Sequence, residues 1–267
     1  MQLRDKRILL TGAGGGIGRE LAPLLLDAGA RLCLTSRSDA SAASMAHHVH
    51  THRDRVLVVR ADVTFAADRE RLVERMRAEF GGIDILVNLA GALDFGLFAD
   101  AQPAMIPRLL AVNLEAPMQL AHAVLPAMLS QGSGRIVNIG SIFGSIGYPG
   151  FASYSATKFA LRGFSQALRR ELHGSGVSVT YVAPRAVRTA FNPVELHLMA
   201  ADGLMHMDDP LWVAEQIVRA IESGRPEVYL GQPESFFARL NALLPGMVDR
   251  GLRKVVPSIA RFARGAA

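Results

Sequence analysis

Thr11-Gly12-Ala13-Gly14-Gly15-Gly16-Ile17-Gly18 stands between a short apolar run, Arg7–Leu10, and a helical pattern at about 17–28. That order of strand, glycine-rich turn and helix decides how the rest of the chain is read. Glycine lets the backbone approach a pyrophosphate closely, and the start of the helix adds amide donors and a favourable dipole. Glycines alone make only a flexible turn. The strand before and the helix after supply the context that phosphate binding requires. Gly12, Gly14, Gly15, Gly16, Ile17 and Gly18 are therefore the predicted phosphate cradle.

Outward from the turn, further strand candidates are Arg31–Thr35, Arg55–Arg60, Ile83–Leu89, Arg135–Ile139, Ser178–Ala183 and Val228–Leu230. Helical patterns fall between them, at about 39–50, 66–80, 103–131, 152–173 and 210–223. The central strands are unbroken apolar runs, as in Ile85-Leu86-Val87, which is the pattern of strands buried on both faces. Strand–helix alternation with short connections predicts right-handed crossovers and a doubly wound parallel sheet of the α/β class, Rossmann-like. One domain is expected over 1–232, with a helical extension over 233–267.

Composition bounds the function. Half of the 267 residues are hydrophobic and a fifth are charged, so a disordered chain is excluded. The one cysteine, Cys33, permits no intrachain disulfide and suits a reducing, cytoplasmic setting. The N-terminus has no apolar core of a secretory signal, and the longest uncharged stretch, Ile136 to Thr157, reads as a turn-rich site rather than a membrane span. The net charge of +5 lies entirely in the tail. Residues 1–235 hold 23 basic and 23 acidic side chains, whereas 236–267 hold six basic and one acidic. A neutral body argues against a nucleic-acid partner.

The second strand ends Leu34-Thr35-Ser36-Arg37. A carboxylate here would accept bonds from an adenosine ribose and repel a 2′-phosphate; none occurs before Asp39. Ser36 and Arg37 can instead pair with that phosphate, so NADP is favoured over NAD. Asp62-Val63 is placed beside the adenine, and Asn88-Leu89-Ala90-Gly91 opens the next crevice loop. Ser141 falls at the end of the fifth strand. Tyr154 and Lys158 are four apart and share one helix face. An ammonium near a phenol lowers the phenol's pKa, making Tyr154 an acid/base, with Ser141 holding the substrate oxygen.

Taken together, Thr11–Gly18, Asn88-x-Ala90-Gly91, Asn113, Ser141, Tyr154, Lys158 and the segment Pro184 to Thr189 resemble the short-chain dehydrogenases/reductases over about residues 4–232. The resemblance implies a tetrad of Asn113, Ser141, Tyr154 and Lys158. In it Tyr154 exchanges a proton with the alcohol or carbonyl, Lys158 also binds the nicotinamide ribose, and Asn113 holds a relay water. It places Pro184, Thr189 and the backbone of Val187 at the nicotinamide. It also implies a homodimer or homotetramer, packed through the helices near 103–131 and 152–173, with Leu120, Val124, Phe159, Phe164 and Leu168 as excess apolar positions.

Two positions depart from that pattern. Leu89 replaces a second asparagine, and Arg185 follows Pro184 where the family usually has glycine. Arg185 either turns to solvent or contacts the substrate or a cofactor phosphate. The loop at about 190–210 is rich in Leu and Met, which suits an apolar pocket or the packing of a lid on the body. His197 and His206 lie there without ligand spacing, so no metal is expected. The basic, amphipathic tail reads as a membrane-surface contact, a lid or an interface arm. The resulting expectation is an NADP-dependent oxidoreductase acting on an apolar, lipid-like carbonyl or alcohol, set against a nucleotide sensor or scaffold on the same fold.

Overall fold

Seven strands pair in parallel in the order β3-β2-β1-β4-β5-β6-β9 in the computed structural model, which describes residues 1–265. The strands are β1 (Arg7–Leu10), β2 (Arg31–Ser36), β3 (Val56–Arg60), β4 (Ile85–Asn88), β5 (Gly134–Ile139), β6 (Val177–Ala183) and β9 (Glu227–Tyr229). Two further strands, β7 (Ala186–Val187) and β8 (Met207–Asp208), pair with each other outside the main sheet. Residues 266 and 267, which end the predicted extension, lie outside the described residues.

Period-two alternation divides the core between the faces. Ile8, Leu10, Leu32, Leu34, Ile85, Val87, Val137 and Ile139 point to one side. That side is covered by α1 (Gly16–Asp27), α2 (Asp39–His48) and α8 (Pro210–Ser223). Leu9, Cys33, Leu86 and Ile136 point to the other, covered by α3 (Ala66–Phe80), α5 (Ala116–Gln131) and α6 (Ala152–Glu171). This is the doubly wound α/β sheet that the sequence predicts.

The helix predicted over 103–131 is not continuous. It forms α4 (Met105–Leu110), a π turn over Ala111–Glu115, and then α5. Beyond the sheet come α7 (Val194–Ala201) in the predicted substrate loop, then α9 (Glu234–Leu243), α10 (Pro245–Leu252) and α11 (Val256–Ala263) in the extension. The expectation for the assembly positions needs correction. Leu120, Val124 and Leu168 are buried in the chain's own core and Phe164 packs against it, which leaves Phe159 exposed. The large apolar side chains exposed on α4 and α5 are Ile106, Leu110, Met118 and Leu129.

Candidate active site

A cavity of about 1150 Å³ opens along the carboxyl ends of the strands, across the point where β1 and β4 send their connections opposite ways. In open α/β sheets that switch point is where ligands bind. Its first wall is the turn between β1 and α1. Gly12 has φ +68°, which L side chains rarely adopt, and it packs on the backbone of Ala90. A side chain at Gly14 would strike Ser36 and Ser41, and one at Gly16 would strike Thr189. The Thr11 hydroxyl accepts from the amides of Leu89 and Ala90, both at 3.1 Å, and so ties the two crevice loops together. Gly15 caps α1 without a side-chain acceptor, and the first turn holds no carboxylate. The opening amides of α1 keep their capacity to bind an anion.

Ser36 and Arg37 line the same cavity at the end of β2. The Arg37 guanidinium is exposed and has no acceptor among the described residues. Asp39, the first carboxylate after β2, is paired with Arg60 at 3.3 Å. Asp62 and Val63 line the adjacent wall. Asp62 Oδ1 accepts from the amide and hydroxyl of Thr64, at 3.0 and 2.7 Å. Arg19, which the sequence reading missed, also lines the cavity; its Nε donates to the Gly14 carbonyl at 3.1 Å.

Ser141, Tyr154 and Lys158 all line this cavity and all are buried. Ser141 follows β5, and its hydroxyl accepts from the Phe143 amide at 3.1 Å. Tyr154 and Lys158 lie one turn apart on α6, with Nζ 5.7 Å from the phenol ring centre. Lys158 Nζ donates to the Ile139 carbonyl at 3.1 Å. Burial governs the titration of both groups. Burial pushes the phenol up to about 12, offset only in part by its hydrogen bond with Ser141. Burial also pushes Lys158 down to about 8. In both cases the low-dielectric surroundings favour the neutral form.

Two predicted residues face away from the cavity. Asn113 sits in the π turn, fully buried. Its Oδ1 accepts from the Ala92 amide at 2.8 Å, and its Nδ2 donates to Ala92 O and Thr157 Oγ1 at 2.9 and 3.1 Å. Both amide hydrogens are used, so this side chain latches the 92 loop to α6. Asn88 points into the core, where its Nδ2 donates to Asn138 Oδ1 at 2.8 Å, and it does not touch the cofactor wall. Ala90 and Gly91 do line it.

Tyr181 was missed and is central. It is fully buried on β6; its hydroxyl accepts from the Ser141 amide at 3.3 Å and lies 3.2 Å from the Ser141 carbonyl and 3.5 Å from that of Lys158. Its polar tip thus ties the segment after β5 to α6. The sequence signal was a lone aromatic in a strand of aliphatic and small polar residues.

Pro184, Val187 and Thr189 line the cavity beyond β6. The Val187 carbonyl is occupied by Asn192 Nδ2 at 2.6 Å. Arg185 also lines it, but neither predicted role fits: the guanidinium is bound to Asp208, Glu234 and the Gln232 carbonyl. The far end of the cavity is apolar, walled by Leu93, Phe143, Tyr148, Phe151, Leu196, Leu204 and Met205. Phe143 stacks on Tyr148 at 4.9 Å and meets Phe151 at 4.8 Å.

The extension packs on the body. Ala238 and Val248 pack with Ile142 and Ile146, and Ile259 and Phe262 of α11 pack with Met199 of α7. Phe236, Phe237, Leu243, Leu244 and Met247 remain exposed. Among the described residues no helix is long and apolar enough to cross a membrane, and no group of His, Cys, Asp or Glu is placed to hold a metal.

The family model for short chain dehydrogenases matches residues 6–196. The ketoacyl reductase HetN of Nostoc sp. is 34% identical over 230 residues, covering 86% of this chain and 80% of that protein. The crystal structure of a short-chain dehydrogenase from Streptomyces avermitilis superposes with a TM-score of 0.78 at 28% identity, covering 98% of this chain and 99% of that one. A short chain dehydrogenase/reductase from Burkholderia phymatum, solved in complex with NAD, gives a TM-score of 0.83 at 22% identity over 92% and 96% of the chains. At that identity the likeness is one of fold.

Proposed function

The chain belongs to the short-chain dehydrogenase/reductase family, and from that premise we propose that it reduces apolar ketones or aldehydes with NADPH. The observation that carries the proposal is the single cavity. It brings Ser141, Tyr154 and Lys158 to the same space as the glycine turn. The uncapped start of α1 and the close fit of Gly14 and Gly16 against Ser36, Ser41 and Thr189 suit a dinucleotide pyrophosphate. Arg37 and Ser36 suit a 2′-phosphate, with Asp39 drawn away to Arg60. The Burkholderia protein carries NAD, but the groups at the end of β2 here favour the phosphorylated cofactor. When bound, the cofactor supplies the hydride.

The protein's own groups handle the oxygen. Ser141 donates a hydrogen bond to the substrate carbonyl oxygen. Tyr154, neutral because it is buried, gives that oxygen its phenolic proton, and the phenol regains a proton from solvent. Lys158 holds a positive charge against the phenol as the proton leaves. The aromatic and aliphatic far wall takes the apolar body of a lipid-like substrate. For the extension, of the lid, membrane contact and interface arm, the lid is the reading its packing on α7 supports. A homodimer or homotetramer is proposed through Phe159 and the exposed positions of α4 and α5.

A carbonyl panel followed by NADPH absorbance tests the chemistry. Tyr154→Phe is expected to bind NADPH as wild type does and to lose at least about a hundredfold in kcat, the scale of a lost general acid. Near-normal turnover in that variant overturns the mechanism. Wild type that binds NADPH but turns over no carbonyl would point to the sensor reading.

A further inference from the structure

Arg185 gathers three pieces of chain that are distant in sequence. It stands just after β6. Its Nε and Nη2 donate to Asp208 Oδ1 at 3.0 and 2.7 Å, at the end of the substrate loop. Its Nη1 donates to the Gln232 carbonyl and to Glu234 Oε2, both at 2.8 Å, at the start of the extension. Glu234 Oε1 in turn pairs with His206 Nδ1 at 2.8 Å, back on the loop. The arginine side chain is only 17% exposed, so solvent weakens these bonds little. Arg185, His206 and Glu234 also line the cavity, beside Leu204 and Met205. Midway along the loop, Ile259 and Phe262 of α11 bury themselves against Met199. The loop is therefore held at its middle by apolar packing and at its end by a charged knot, and both fastenings involve the extension.

We propose that Arg185 is a positioning residue that locks the substrate loop and the C-terminal extension into one roof, so that the extension forms part of the substrate site. The proposal rests on reading the cavity as a reductase site. The charge arithmetic makes the lock decisive. One guanidinium satisfies two carboxylates, Asp208 and Glu234, that approach the same point. Without it, two partly buried like charges face each other and drive the loop and extension apart. A glycine at this position could not join the two segments. A roof fixed by Arg185 holds Leu204 and Met205 in place over the apolar wall and sets the room left for a bulky substrate.

Hydrogen exchange with mass spectrometry on Arg185→Met, which keeps the aliphatic stem and removes the fork, tests the lock directly. Amides in 199–208 and in 234–243 are expected to exchange at least about tenfold faster, together, while those of β1 and β4 stay unchanged. Acceleration in one segment only, or in neither, overturns the proposal. Should Arg185→Met fail to fold, Arg185→Lys is the substitute. It keeps the charge but not the bidentate geometry, and it should show a smaller rise in both segments. In kinetics, the KM for a bulky apolar ketone should rise at least about tenfold, with kcat within about threefold and the KM for NADPH unmoved. A loss carried by kcat alone contradicts a positioning role. If wild type reduces no carbonyl, the reductase reading fails, and the exchange measurements still decide the lock.

Discussion

The NADPH preference proposed above requires that Arg37→Ala bind NADPH and NADH about equally. The guanidinium stands at the end of β2 with no protein acceptor among the described residues, beside Ser36 and facing the cavity. A hydrogen bond to a charged group is worth about 1.5–3 kcal/mol. Arg37 is exposed, so the lower end applies, about 1.5 kcal/mol, or roughly tenfold in Kd. NADH lacks the 2′-phosphate, and its affinity should change by less than about threefold. Titration calorimetry with both cofactors measures the difference. A second arm at high salt sharpens it, because an exposed ion pair is screened within about 10 Å at 0.1 M ionic strength. The NADPH advantage expected of wild type should therefore shrink as salt rises, while Arg37→Ala should bind both cofactors about equally at every salt concentration. Tighter NADH binding by wild type, or an equal loss for both cofactors on substitution, would refute the reasoning.

Tyr181→Phe should lower kcat about fivefold or more while leaving NADPH affinity intact, because the lost hydroxyl orients the Ser141 backbone and α6 rather than the phosphate turn. Thermal melts should show a cost of about 1–3 kcal/mol for the buried groups left unsatisfied; unchanged kcat with weakened NADPH binding would remove Tyr181 from this role. For assembly, wild type should sediment at micromolar concentration as a dimer or tetramer and Phe159→Glu as a smaller species. A wild-type monomer would show that the exposed side chains of α4, α5 and α6 do not form an interface.

The sheet was legible because each strand carries its burial in its letters. Ile8 and Leu10 feed one core and Leu9 the other, so an unbroken apolar run could only be a strand covered twice. The π turn at Ala111–Glu115 carried one signal that went unread: Pro117 has no N–H for the carbonyl of Asn113, four residues before it. The turn accompanies a tertiary latch, the Asn113 amide on the backbone of Ala92, which local propensity cannot express. The glycine turn, Ser141, Tyr154 and Lys158 were legible as a set, because residue type, strand and helix position and the family resemblance all pointed to one cavity edge. Asn88 was misassigned although a clue existed. It lies in register with Asn138 on the neighbouring strand, and two such residues side by side on one face bond to each other. Arg185 could not be read, because its partners stand 23 and 49 residues away, in segments whose docking only the assembled fold determines.

The environment that the fold builds around Tyr154 suits the proton step of the proposed reduction. Oxidation of an alcohol needs the phenolate, whereas reduction of a carbonyl needs the phenol. Burial pushes the phenol up to about 12, so the neutral form dominates at pH 7. The acid form is therefore ready and the base form is scarce. Lys158, near 8, is still mostly protonated at pH 7, so a positive charge stands beside the phenol when its proton leaves. That charge stabilises the phenolate as it forms and so lowers the barrier of the proposed proton step. The apolar wall acts the same way, since it excludes the water that would otherwise weaken the ammonium–phenolate attraction. A tyrosine kept neutral at rest, with a cation beside it as its proton moves, suits the donor role proposed for it.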